Sequence, residues 1–84
     1  MTYLHRNRGT CAVSTEVKLN DDHTIARVTV QGGCNGNLKG ISSLLVGMKA
    51  EDAIARMEGT RCGFKSTSCP DQIALALKEA LARM

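Results

Sequence analysis

Residues 13–31 read VSTEVKLNDDHTIARVTVQ. In the first half Val13, Thr15, Val17 and Leu19 alternate with Ser14, Glu16 and Lys18, the period-2 pattern of a half-buried strand. Asn20 to His23 spell NDDH, whose short polar side chains favour a turn. The next run, TIARVTVQ, puts Ala26, Val28 and Val30 on one face. The pattern predicts an antiparallel hairpin from Val13 to Gln31. A short strand around Tyr3 to Arg6 adds an edge.

Downstream the period changes from two to that of a helix. After GGCNG, Leu38, Ile41, Leu44 and Leu45 recur at helical spacing, and Gly47 marks a stop. Ala50, Ala53, Ile54 and Met57 predict a second short helix that ends at Gly59. Ser68 followed three residues later by Asp71 is a capping pattern, and Pro70 is tolerated in a first turn, where its missing N–H has no partner to lose. Ile73, Leu77, Leu81 and Met84 then form the apolar stripe of the longest helix, expected from about Pro70 to Ala82 with Ile73, Leu77 and Leu81 buried. Strands followed by helices argue an α+β fold: an antiparallel sheet of two to three strands with three helices on one face. The 84 residues form a single domain, 1–84.

Composition narrows the function. One Tyr, one Phe and no Trp leave the core to aliphatic residues and alanine. So small a core invites help from a metal, a disulfide or self-association, and a homodimer is expected on that ground. The formal net charge of +3 is mild, with no basic stripe and no interleaved aromatics, which argues against nucleic acid. No apolar run approaches the roughly 18 residues of a membrane span, and MTYLHRNRGT lacks the apolar centre of a signal peptide. A cytoplasmic protein with no membrane partner is the expectation, and a chain this short leaves little room for an enzyme cleft of its own.

Four cysteines, Cys11, Cys34, Cys62 and Cys69, are then the main chemical feature. In a reducing compartment they read as ligands or reactive thiols rather than bridges. Their separations of 23, 28 and 7 positions contain no CxxC knuckle. Their addresses are more informative. Cys34 lies between strand and helix, and Cys69 opens the last helix, where free N–H groups and the helix dipole favour thiolate over thiol. Cys11 precedes the first hairpin strand, so antiparallel pairing brings it back beside Cys34. Cys62 lies in the loop before Cys69. Three or four thiolates would then meet at one end of the fold, a donor set that suits zinc or an iron-sulfur cluster.

TSCPD at 67–71, with GGCNGNLKGI at 32–41 and GTC at 9–11, resembles the small four-cysteine TSCPD proteins over nearly the whole chain. A related domain stands at the C-terminal end of cobalamin-dependent ribonucleotide reductases. The resemblance implies an accessory or cofactor-carrying role in ribonucleotide reduction or redox metabolism, with such a reductase or a redox protein as partner. The order of Cys11, Cys34 and Cys69 is also similar to that of the U-type iron-sulfur cluster scaffolds, which implies a scaffold-like fold. Here CAV stands where those scaffolds carry CGD, and Cys62 is an addition that would close the site.

Two other readings stay open. The glycine-rich turn, with Gly33, Asn35, Gly36, Asn37 and Lys39, reads as a turn and cap or as a cradle for the phosphate of a nucleotide or flavin. It matches neither the P-loop nor the dinucleotide pattern. Cys62 and Cys69 could also act as an attacking and resolving thiol pair, although no CxxC and no neighbouring histidine base support them. His5 and His23 are expected to be solvated. Arg61, Lys39 and Lys65 read as a solvated face that could steer an anionic partner.

Overall fold

The computed structural model describes residues 1–10, 12–32, 35–61 and 67–84. Three strands, β1 (Thr2–Arg6), β2 (Ala12–Leu19) and β3 (Ile25–Gly32), precede three helices, α1 (Asn35–Leu45), α2 (Ala50–Met57) and α3 (Cys69–Ala82). The strands form one antiparallel sheet in the order β1-β2-β3, and the helices cover one of its faces. The α+β architecture expected from the sequence is the one observed.

The hairpin turn closes where the polar run required it. Asn20 N–H donates to Thr24 O at 2.9 Å and His23 N–H to Asn20 O at 3.0 Å. Asp22 Oδ1 accepts from both the backbone and the hydroxyl of Thr24, which fixes the entry into β3. The outer side of β3 begins under a clasp from the α1–α2 connection: Ile25 N–H donates to Met48 O, and Gly47 N–H to Ile25 O, each at 2.8 Å.

Two register shifts correct the simple alternation. Ala12 pairs with Gly32 and Ser14 with Gln31, so Val13 is one residue more than the ladder accommodates. A bulge of this kind inverts the facing of the residues beyond it. Val13, expected to face the core, is 63% exposed, and Ala12 is buried instead. The second shift, between Lys18↔Arg27 and Leu19↔Ile25, makes Ala26 the extra residue and brings Ile25 into the core opposite Leu19.

The core joins Val17, Leu19, Ile25 and Val28 of the sheet to Leu45 of α1, Ala50, Ala53 and Ile54 of α2, and Ile73, Ala76, Leu77 and Ala80 of α3. Alanines without exposed surface on both α2 and α3 let these helices approach closely, which is how a chain nearly devoid of aromatics fills its interior. Leu44 departs from the expected stripe of α1. It is 78% exposed, while Leu38 and Leu45 are buried. Leu81 is partly buried against the core, but Met84, expected on the stripe of the last helix, lies beyond the end of α3 at Ala82 and is exposed.

Candidate functional site

Helix α3 starts on the cap the sequence announced. Ser68 is the N-cap residue, and its hydroxyl oxygen accepts from Asp71 N–H at 3.2 Å while the hydroxyl donates to Thr60 O at 2.6 Å. Such caps are worth about 1 kcal/mol. Cys69 is the first helical residue and a free, partly buried thiol. The positive end of the helix dipole lies at its position.

Asp71 braces the same turn on two sides. Its Oδ1 accepts from Gly59 N–H at 2.8 Å and its Oδ2 from the Thr67 hydroxyl. The Thr67 bond chiefly, helped by that from Gly59, holds its carboxyl below the usual aspartate value despite partial burial. Gly59 to Arg61 and Thr67 are the described residues on either side of the segment that carries Cys62. Both ends of that segment are therefore fastened to the turn that holds Cys69.

The connection between β1 and β2, which carries Cys11, is fastened to the same turn. Arg8 N–H donates to Gln72 Oε1 at 3.1 Å. Gly9, at φ +75°, comes so close to Thr67 that a Cβ there would meet Thr67 Cγ2 at 3.0 Å, so glycine is required for both conformation and space. Across the sheet, Ala12 pairs with Gly32, two residues before Cys34, and α1 begins at Asn35. The described flanks of Cys11 and Cys34 thus lie side by side, at the end of the sheet where the start of α3 is anchored.

Cys11, Cys34 and Cys62 themselves lie outside the described residues, as do Gly33 and Lys65. Among the described residues no group of three or more His, Cys, Asp or Glu side chains gathers into a metal site. Of the glycine-rich turn, Asn35 opens α1, while Gly36, Asn37 and Lys39 are exposed. Lys39 also lines a groove of about 380 Å³ between α1 and β3, with Thr29, Val30, Ser42 and Ser43. Arg61 is exposed and close enough to Asp71 to help hold it ionised.

His5 corrects the expectation of a solvated ring. Its side chain is 12% exposed, with Nδ1 2.9 Å from Glu79 Oε1 and Nε2 2.8 Å from Gln72 Oε1. Gln72 is itself buried, and its Nε2 donates to Thr67 Oγ1 at 3.0 Å. Tyr3 OH donates to Glu79 Oε1 at 2.9 Å, and the Arg83 guanidinium lies 4.9 Å from the Tyr3 ring centre. Burial raises the Glu79 carboxyl, but the hydrogen bonds from His5 and Tyr3 outweigh it and leave the group below its ordinary value. His23 is more open and pairs with Glu51 at 2.6 Å beside the hairpin turn.

This polar line from Glu79 to Asp71 was missed in the sequence, though two signals mark it. Tyr3, His5 and Asn7 repeat with the period of β1, and Gln72 is a polar residue beside Ile73 on the buried side of α3. Beside it, Asn7 Oδ1 accepts from the buried Thr15 hydroxyl at 2.9 Å, and its buried Nδ2 has no partner among the described residues.

These features define a small α+β domain whose cysteine-bearing segments are fastened to one end of a three-stranded sheet. The chain belongs to the TSCPD domain family, whose model matches residues 1–81. No curated protein and no solved structure matched the chain.

Proposed function

We propose that this protein is a small metal-binding domain that holds zinc or an iron-sulfur cluster through Cys11, Cys34, Cys62 and Cys69. One observation carries the reading: the described flanks of the other three cysteines are anchored at the end of the sheet where Cys69 offers a free thiol at a helix N-terminus. Four thiolates concentrate negative charge, which the metal and the helix N-termini offset. Arg8 and Arg61, in the described flanks of Cys11 and Cys62, also suit an electron-rich centre. When bound, the group would supply structural closure or electron storage, with the four cysteines as ligands. A cytoplasmic location, self-association and service to a ribonucleotide reductase or another redox protein belong to the same proposal.

The test is purification without oxygen, followed by absorption spectroscopy and elemental analysis. Zinc without colour, or iron and sulfide with a visible chromophore, is the expected result. Cys69→Ser should lower bound metal per chain and the melting temperature together, because a site that ties loops to sheet contributes folding energy. Protein with neither metal nor chromophore, and with unchanged stability in Cys69→Ser, would overturn the reading.

A further inference from the structure

His5 meets an oxygen at each ring nitrogen: Nε2 lies 2.8 Å from Gln72 Oε1, and Nδ1 lies 2.9 Å from Glu79 Oε1. A neutral imidazole has one N–H and one lone pair, so it can satisfy only one of two acceptors. The protons on the ring therefore follow from what its two partners are able to do. The Gln72 amide is oriented by its other neighbours. Its Oε1 accepts from Arg8 N–H at 3.1 Å, and a backbone N–H can only donate. Its Nε2 donates to Thr67 Oγ1 at 3.0 Å, and the Thr67 proton is given in turn to Asp71 Oδ2. Exchanging the amide O and N would set N–H against N–H at Arg8 and oxygen against oxygen at Thr67. The oxygen of Gln72 thus faces His5, and Nε2 carries a proton.

On the other side, Glu79 Oε1 also accepts from Tyr3 OH at 2.9 Å, and the carboxyl, despite burial, lies below its ordinary value. An ionised carboxylate offers Nδ1 lone pairs alone, so Nδ1 is protonated as well. We propose that the native fold holds His5 as the doubly protonated imidazolium, a pH-sensitive clasp between β1 and the start of α3. Strand β1 packs on β2 and α3. The groups these elements turn toward the ring are Tyr3 on its own strand, Thr15 opposite it on β2, and Gln72 and Glu79 on α3. Glu79 and Tyr3 are the titratable ones, and Arg83 adds a charge 4.9 Å from the Tyr3 ring centre. Loss of the extra proton sets a bare nitrogen against one of the two oxygens. Gln72 cannot turn over to meet it without giving up Arg8 and Thr67, so deprotonation loosens the tie between the β1–β2 connection and the first turn of α3. The fold binds this proton more firmly than the unfolded chain does. Its contribution to stability is therefore present while the ring is charged and is lost as pH rises through its release.

The test is long-range proton–nitrogen NMR of isotope-labelled full-length protein. At about pH 7.5, where a solvated imidazole is mostly neutral, both ring nitrogens of His5 should be protonated. On raising the pH, the Arg8 N–H and the Gln72 side-chain amide should shift with the same midpoint as the ring. Glu79→Gln lets an amide N–H turn toward an unprotonated Nδ1, so the variant should release the proton at lower pH. An unprotonated ring nitrogen on His5 in the folded protein at about pH 7.5 would overturn the proposal, and this reading decides alone if Glu79→Gln fails to fold. Arg8 and Gln72 resonances that ignore the His5 titration would overturn the clasp, and an unchanged titration in folded Glu79→Gln would overturn the pairing that charges the ring.

Discussion

Asp71 and Glu79 do their work as carboxylates. Asp71 receives the Thr67 hydroxyl and Gly59 N–H, and Glu79, in spite of burial, is held ionised by His5 and Tyr3. Both fold into states with carboxyl values below the reference values of 3.8 and 4.5 that describe the unfolded chain. Their contribution to stability is therefore fully present above those values and is lost as pH falls through the lower, folded ones. Urea unfolding followed from neutral pH down to about pH 3 should show a steep acid decline. Asp71→Asn and Glu79→Gln should each be less stable at neutral pH and decline less steeply in acid. An acid limb of unchanged slope in both would show that these bonds do not distinguish the folded from the unfolded state.

Helix α1 offers a sharper contrast, because adjacent leucines meet opposite environments. Leu45 is buried in the common core, whereas Leu44 points into solvent. Leu45→Ala should cost about 2–5 kcal/mol by cavity formation, and Leu44→Ser no more than about 0.5 kcal/mol, typical of surface changes. Comparable losses in denaturant titrations would mean that α1 turns a different face to β3. The pair also shows where sequence stops being sufficient. Leu38, Ile41, Leu44 and Leu45 define a broad apolar arc, and only the position of the sheet decides which edge of that arc is covered. The hairpin was legible because NDDH is a local turn signal between two alternating runs. Its bulges at Val13 and Ala26 were not, since an extra residue is defined by the ladder opposite and not by its own composition. The start of α3 was legible through Ser68, Asp71 and Pro70. The fastening of two separate segments to that start depends on Arg8, Gly9, Thr60 and Gln72 contacts that cysteine spacing does not encode.

The molecule as a whole has two chemically different ends. One holds the hairpin turn, closed by Asn20, Asp22 and Thr24 and braced by the His23–Glu51 pair, with no cysteine in it. The other gathers the entry to α1, beside the Ala12–Gly32 pair, and the start of α3, to which hydrogen bonds tie the β1–β2 connection and the stretch after α2. Free energy from metal binding would enter at the second end, because a ligand stabilises the elements that it ties together. Hydrogen exchange measured on loaded and chelator-stripped protein should therefore differ by place. Stripping should speed exchange at Arg8 to Thr10, Gly59 to Arg61 and the first turns of α1 and α3, while amides of the Asn20–Thr24 turn keep their rates as long as the sheet remains folded. The Arg8 N–H is the most telling reporter, since its partner Gln72 is also bonded to His5 and Thr67. Loosening at that amide would transmit from the cysteine end along the buried polar line toward Glu79. Equal acceleration at both ends would show that stripping acts through global unfolding, and faster exchange at the hairpin turn alone would place the stabilising site away from the cysteines.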